Sequence, residues 1–181
     1  EPKGIKGVKA YLKRLREKRN FPFVDRKIIT AWNAMMVKAL FSASRIDLLY
    51  LDDAKESLKR LWALMRRNNV LYHQTLLGKI PKQKALLEDY AFLSDALLEG
   101  YERTYDADYL AKAEVLGSEA IRKFYKKGIW YLSDDQIEAV ADFDDRYYTS
   151  ALSVMLESFM KLAALSEDFS YLDIVKRTIA E

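Results

Sequence analysis

The sequence contains no cysteine, only six glycines and only three prolines, and each shortage excludes a class of structure or chemistry. Without cysteine the chain can form no disulfide, no thiolate nucleophile and no cysteine-ligated metal site. With so little glycine and proline, and with leucine, alanine, lysine and glutamate recurring, the composition favours helix over strand. No apolar run approaches the roughly 18 residues that a membrane span requires. These absences make the cytoplasm the expected compartment.

Charge is balanced over the whole chain but concentrated near its start. The 181 residues are about one domain in length, and a formal net charge of +3 is too small to predict a nucleic-acid partner. Ten of the 30 lysines and arginines lie between Lys3 and Lys27, so we predict a separate basic helix in residues 1–24. A solvated amphipathic helix explains this segment, and so does a helix that binds an anionic partner.

A repeated unit organises the rest of the chain. Tyr-Leu pairs begin at Tyr50, Tyr109 and Tyr171, with separations of 59 and 62 residues. Each pair follows a long apolar run and precedes a charged, amphipathic run. A helix that is apolar around most of its circumference is buried on most sides, whereas a helix with one apolar stripe faces water on the other side. The unit is therefore a helical hairpin with an inner and an outer helix.

Inner helices that alternate with outer ones predict an all-α fold, an α/α toroid or part of one, with about seven helices. The helices are expected near residues 5–19, 28–45, 51–67, 85–105, 107–125, 146–165 and 169–180. The region 25–181 then contains three tandem hairpins, 28–67, 85–125 and 146–180. Because a complete ring of this kind has six hairpins, we expect a fragment of a larger toroid, or an arc whose uncovered flanks bind another copy or domain.

Two long connections, 68–84 and 126–145, each join an outer helix to the next inner helix. In the second, the runs IWYL and IEAVAD are separated by SDDQ, which predicts a small β-hairpin. Both connections project from the same end of the array. Loops of this length in a compact domain are more often functional than idle.

Four segments carry motifs that resemble those of a known family. They are VDRKIITAWNAMMVKAL (24–40), LYHQTLLGK (71–79), LLEDYAFLSDALLEGYERTYDADYLAKA (86–113) and GIWYLSDD (128–135). The family motifs run D-D-K-x-I-T-x-W-N-x-L-M, L-E-D-Y-A-F-L and G-G-F-F-x-T. In these motifs the chain resembles the C-terminal part of the thioredoxin-domain-containing family that includes spermatogenesis-associated protein 20, in which a thioredoxin-like domain precedes a six-hairpin toroid.

The chain also departs from the family pattern. The family motif D-G-A-x-P-S-G-N-S falls on residues 145–153, which read DRYYTSALS. Asp145, Ser150 and Ser153 match, but the proline, the second glycine and the asparagine are replaced, and Arg26 stands where the family has its second acid. If these motifs line a site, this chain has lost part of it.

The resemblance implies a fold shared with six-hairpin glycosidases and N-acylglucosamine 2-epimerases. Any catalysis would then be that of a sugar-processing hydrolase or isomerase, and an upstream thioredoxin-like domain would be a natural partner. Fold likeness does not by itself establish a reaction. No cluster has metal-ligand spacing and no glycine-rich loop could hold a phosphate, so we predict neither a metal nor a cofactor.

Equivalent ends of the inner helices of a toroid meet at one mouth, and alignment of the repeats predicts which side chains gather there. The candidate catalytic groups are Glu88, Asp89, His73 and Asp145, and the candidate ligand contacts are Trp32, Asn33, Tyr90, Trp130, Tyr148 and Ser150. Aromatic rings stack on sugars while polar groups bind their hydroxyls, so the set predicts a carbohydrate-like ligand. The competing interpretation is that the acids at 88 and 89 only stabilise the start of a helix.

Three further alternatives stay open at this level. Glycoside chemistry needs two carboxylates roughly 5–9.5 Å apart, so one acid of the 88–89 pair would work with Asp142, Asp144 or Asp145 across the mouth. His73, the only histidine, is either a proton-transfer group or a loop side chain bonded to backbone. The alternative to a sugar site as a whole is a non-catalytic domain that self-associates or packs on a partner through exposed inner-helix flanks.

Overall fold

The computed structural model describes residues 4–135 and 139–180. Seven helices lie in these ranges: α1 Gly4–Glu17, α2 Thr30–Ala43, α3 Leu49–Met65, α4 Leu87–Thr104, α5 Ala107–Phe124, α6 Ala151–Ser166 and α7 Ser170–Ala180. Six short strands accompany them: β1 Lys27–Ile29, β2 Arg66–Arg67, β3 Val70–Leu76, β4 Gln83–Lys84, β5 Tyr125–Lys126 and β6 Ile129–Trp130. The prediction of a mainly helical fold with about seven helices is confirmed.

The helices form two layers, with α2, α4 and α6 inside and α3, α5 and α7 outside. Helix α4 is the centre of the array, since it packs on α2 and α6 within its own layer and on α5 in the outer layer. Its 18 residues include 13 that are buried, which agrees with the apolar character of this run in the sequence. Gly100 permits a close approach between α4 and α2, because a Cβ there would lie 3.0 Å from Cε2 of Phe41.

The connection at 68–84 is more regular than the long loop that the sequence indicated. Strand β3 pairs antiparallel with β1, β2 and β4, and Ile28 of β1 stands opposite Thr75 of β3. The reason is a period-two pattern in which Leu71 and Thr75 point into the core. The Thr30 hydroxyl also donates to the Tyr72 carbonyl at 2.6 Å. The start of α2 is thereby held against β3.

The predicted β-hairpin in the 126–145 connection is present within the described residues. Leu132 N donates to the Ala139 carbonyl at 2.8 Å, and Ala141 N donates to the Trp130 carbonyl at 2.8 Å. Residues 136–138, which belong to the predicted second strand of this hairpin, lie outside the described residues. A second, tighter pairing of Tyr125 with Trp130 joins this hairpin to the end of α5.

Helix α6 begins later than expected. It was predicted from residue 146, but it starts at Ala151, because Ser150 forms its N-cap and accepts a hydrogen bond from Ser153 N at 3.0 Å. Ser150 N in turn donates to Asp145 Oδ1 at 2.8 Å. The residues between Asp142 and Thr149 are therefore a loop, which lies beside the start of α4.

Helix α1 contains no buried residue, and apolar side chains such as Ile5 and Leu12 are exposed along it. The basic N-terminal helix predicted for residues 1–24 corresponds, in its described part, to α1, none of whose residues is buried; residues 1–3 lie outside the described residues. Over the described part of the chain, none of the helices combines the length and the apolar character needed to cross a membrane.

Candidate functional site

Asp89 is the most constrained polar side chain near the predicted mouth. It lies in the first turn of α4 and is fully buried. Its Oδ2 accepts a hydrogen bond from Leu86 N at 2.8 Å, so it does stabilise the start of its own helix. Its Oδ1 accepts a second bond from Ala31 N at 3.1 Å, in the first turn of α2. One carboxylate therefore joins the starts of two inner helices.

His73 projects from β3 onto the same carboxylate, with 2.9 Å between its Nδ1 and Oδ2 of Asp89. The hydrogen bond with Asp89 raises the pKa of His73 above its ordinary value, although burial by itself would lower it. Burial raises the pKa of the Asp89 carboxyl, while the hydrogen bond with His73 opposes that rise. The interpretation of His73 as a loop side chain bonded to backbone is wrong, since its partner is a carboxylate.

Glu88 points to the other side of the α4 start and faces more open space. Its Oε2 accepts a hydrogen bond from the Tyr148 hydroxyl at 2.9 Å, and its Oε1 lies 3.9 Å from Nδ1 of His73. The Tyr148 ring packs edge-to-face on Phe92, with 5.6 Å between ring centroids. Burial raises the pKa of Tyr148, a hydrogen bond from Trp32 opposes that rise, and Glu88 adds to it.

These side chains converge although they come from four separate elements. We use the term mouth cluster for Trp32 of α2, His73 of β3, Glu88 and Phe92 of α4, and Tyr148 of the loop before α6. A cavity of about 280 Å³ adjoins it between the α4 start and the 142–151 loop. Its lining includes Glu88, Asp142, Asp144, Arg146, Tyr147, Tyr148, Thr149 and Ser150. Carboxylates, hydroxyls and aromatic rings thus surround one concavity.

Two acids from the 142–151 loop face Glu88 across this cavity. Asp142 and Asp144 both line it, and Arg146 binds Asp142 at 3.0 Å and approaches Asp144 at 4.0 Å. Of the three acids that the sequence offered as partners for the 88–89 pair, these two lie on the cavity. Asp145 instead accepts a hydrogen bond from Ser150 N and supports the turn into α6.

Four predicted site residues occupy other positions. Tyr90 is buried and its hydroxyl donates to Glu119 Oε2 at 3.2 Å, because one residue beyond Asp89 is about 100° further around the helix and faces α5. Trp130 is also buried, and its indole N–H donates to Thr178 Oγ1 at 2.9 Å, so it pins the β-hairpin to α7. Asn33 donates to the Ile29 carbonyl at 2.7 Å, and Asp145 supports backbone as described. None of the four lines the cavity beside the mouth cluster, and whether any of them contacts a ligand stays a prediction.

One member of the mouth cluster was missed by sequence reasoning. Phe92 was taken as part of an apolar run, although it follows Glu88 by four residues and so lies on the same face of α4. That spacing was the available signal. The hydrogen bond between Ala31 N and Asp89 could not be predicted from the sequence. Its donor is a backbone N–H 58 positions away, and a backbone N–H does not depend on the residue type.

His73, Glu88 and Asp89 each offer a ligand atom within 4.8 Å of the others, a spacing that a divalent cation could bridge. Any such ion would have to replace the proton between His73 and Asp89. The two Asp89 oxygens already accept backbone N–H bonds, which leaves them less basic as ligands. The geometry therefore fits a hydrogen-bonded pair better than a metal centre.

Comparison with solved structures identifies the fold as that of α/α toroid proteins. A cellobiose 2-epimerase from Spirochaeta thermophila matches with a TM-score of 0.68 at 14% identity, over 86% of this chain and 43% of that one. An α-mannanase from Bacteroides thetaiotaomicron matches with a TM-score of 0.68 at 18% identity, over 89% and 42%. An unsaturated glucuronyl hydrolase from Bacillus sp. GL1 matches with a TM-score of 0.67 at 13% identity, over 96% and 53%.

At the level of sequence, no family model matches the chain. The uncharacterized protein B0495.5 of Caenorhabditis elegans is 26% identical over 182 residues, which cover 93% of this chain and 25% of that protein. The chain therefore spans about a quarter of this relative and about half of each solved structure. The likeness establishes a toroid-type fold that occurs in carbohydrate-processing enzymes.

Proposed function

We propose that this domain binds a carbohydrate-like small molecule at the mouth cluster and the adjoining cavity. The observation that carries the proposal is the convergence of Trp32, Tyr148 and Glu88 beside a concavity of about 280 Å³. Aromatic faces and carboxylates are the groups that recognise the rings and hydroxyls of sugars. The epimerase, mannanase and glucuronyl hydrolase of similar fold support the same ligand class.

If the domain also carries out a reaction, proton transfer is the chemistry that its residues support. His73 has a raised pKa, and Glu88 approaches it on the cavity side. An imidazole that titrates near neutrality serves as acid and base in turn. Sugar hydrolysis and sugar isomerisation both need that step.

We also propose that the chain is related to the thioredoxin-domain-containing toroid family, that an upstream thioredoxin-like domain is its partner, and that its location is cytoplasmic.

The second candidate function is that of a non-catalytic interaction domain. The observation in its favour is the exposure of apolar side chains on α1 and on the flank of α2, among them Ile5, Leu12 and Met36. Exposed apolar side chains that form a patch mark an interaction site. Size-exclusion chromatography with light scattering tests it. A strict monomer at high protein concentration would argue against self-association.

A ligand screen tests the first candidate. With a monosaccharide or disaccharide at ten times its Kd, we expect stabilisation of about 1.4 kcal/mol, which corresponds to a melting temperature higher by about 3–6 °C. The variant Trp32→Ala should lose this shift because it removes the exposed aromatic face. The control is Phe169→Ala, an exposed aromatic at the start of α7. If the two variants respond alike, the mouth cluster is not the binding site.

A further inference from the structure

We infer that Asp89 is a positioning residue that holds the proton of neutral His73 on Nδ1, so that Nε2 becomes the atom available to a ligand. The inference deepens the proposed function, and its relevance to a reaction rests on it. It also changes the role that the sequence indicated for Asp89. A side chain without exposed surface cannot touch a ligand, so any effect of Asp89 on chemistry must act through His73.

The position of the Asp89 carboxylate is set by the main chain. Ala31 N donates to one oxygen and Leu86 N to the other, and these two donors belong to the starts of different inner helices. A rotation of the carboxylate would break both bonds and leave two backbone N–H groups without an acceptor, which is unfavourable inside the protein. Oδ2 is therefore held in one place, 2.9 Å from Nδ1 of His73.

The donors around the carboxylate indicate its protonation state. Burial raises the pKa of Asp89, but the hydrogen bond with His73 opposes that rise, and both oxygens accept bonds from backbone N–H groups, which favour the ionised form of a carboxyl. An ionised carboxylate only accepts hydrogen bonds, so the nitrogen that faces it must carry the proton. Neutral His73 is then the Nδ1–H tautomer, and its Nε2 has a free lone pair. Among the described residues, none hydrogen-bonds to Nε2.

The two members of the pair differ in access. The His73 side chain retains 13% of its surface, whereas that of Asp89 retains none. Nε2 can accept a proton from a bound hydroxyl or from an acidic C–H of a ligand. The imidazolium that forms is stabilised by Asp89, and the same proton returns from Nε2 to the ligand or to water. The carboxylate remains ionised throughout, in the role that an orienting acid has beside a catalytic histidine.

Because His73 is the only histidine, its ring can be observed without ambiguity in the intact chain. We would label histidine with ¹⁵N and record long-range ¹H–¹⁵N correlations during a pH titration. Above the pKa of His73 we expect Nδ1 at the shift of a protonated nitrogen and Nε2 at that of an unprotonated one. A dominant Nε2–H tautomer, or the averaged shifts of a free histidine, would overturn the inference.

Two variants separate positioning from a purely structural effect. In Asp89→Asn the carboxylate charge is lost and the amide NH₂ faces a backbone N–H, of Ala31 or of Leu86, in either orientation. The pKa of His73 should therefore fall, and its preference for the Nδ1–H tautomer should weaken. The matched control is Glu88→Gln, which removes the neighbouring acid at 3.9 Å; it should keep the Nδ1–H tautomer and lower the pKa only slightly. Among the described residues, Lys27 also acts on the pKa of His73, and it lowers it.

The result does not depend on a ligand or on the folding of a variant. If Asp89→Asn fails to fold, the tautomer of the unmodified chain still decides the inference. An Nδ1–H tautomer in a chain that no sugar stabilises would retain the positioning role and count against the proposed function. Sugar binding together with an Nε2–H tautomer would support the proposed function and overturn the positioning role of Asp89.

Discussion

Replacement of Glu119 by alanine should lower the free energy of unfolding by about 3–5 kcal/mol, because it leaves the charge of Arg66 buried without its partner. Nη1 and Nη2 of Arg66 bind the two Glu119 oxygens at 2.7 and 2.6 Å. The two side chains retain only 8% and 16% of their surface. Tyr90 also donates to Glu119, so its hydroxyl would lose its acceptor in the same variant. Urea unfolding monitored by circular dichroism measures the difference.

The matched control is an exposed ion pair on α3. Glu56 and Arg60 lie 2.6 Å apart, but their side chains retain 51% and 78% of their surface. Exposed pairs contribute little because solvent screens both charges, so Glu56→Ala should change the free energy of unfolding little. If Glu119→Ala and Glu56→Ala lower the free energy of unfolding equally, the buried network contributes no more to stability than a surface pair.

The Glu119 network also predicts a pH dependence. Burial by itself would raise the pKa of Glu119, but the hydrogen bond and the charge of Arg66 lower it below its ordinary value. A group with a lowered pKa contributes stability above its unfolded-state pKa, which is about 4.3 for glutamate. That contribution disappears as the pH falls through the folded-state pKa. The stability difference between the unmodified chain and Glu119→Ala should therefore narrow below about pH 4. A constant difference down to pH 3 would contradict this.

The second large effect is expected from Phe159→Ala, which should lower the free energy of unfolding by about 3–5 kcal/mol. Phe159 is fully buried on α6, and its ring lies 5.9 Å from that of Trp130 and 5.3 Å from that of Tyr171. It therefore joins the inner helix α6 to the β-hairpin and to α7. Removal of the ring leaves a cavity between three elements that cannot easily collapse together.

The neighbouring residue provides the control. Met160 follows Phe159 directly in the chain but is exposed, so Met160→Ala should change the free energy of unfolding by about 0.5 kcal/mol or less. Both variants keep the helix propensity of the segment, since alanine is the strongest helix former. If Met160→Ala destabilises as much as Phe159→Ala, the described packing of α6 is incorrect, or the exposed face of Met160 is covered by a partner.

The helices could be predicted closely, and the reason is visible in α4. Its apolar residues are distributed around most of the helix circumference, so the inner position of Leu87–Thr104 follows from its own residues. The start of α6 could not be predicted as well, because the N-cap at Ser150 depends on a hydrogen bond between Ser150 N and Asp145. Strand β3 was taken as a loop because its partner strands are only two or three residues long.

The candidate site was predicted in part. Repeat alignment correctly indicated that the starts of α2 and α4 meet, and Asp89 and Ala31 N are in direct contact. It did not distinguish Asp89 from Glu88 or Tyr90, because three consecutive residues on a helix point in three directions and only the packing selects among them. Whether the mouth cluster binds a sugar stays a prediction.

By itself the sequence determined the approximate number of helices and the alternation of inner and outer layers. These properties depend on hydrophobic periodicity, which is local along the chain. Only the tertiary structure decided that Asp89 is buried away from solvent, that His73 is its hydrogen-bond partner and that Glu88 lines the cavity. Those outcomes depend on contacts between residues far apart in the chain, such as the 58-residue separation of Ala31 and Asp89, and local pattern contains no information about them.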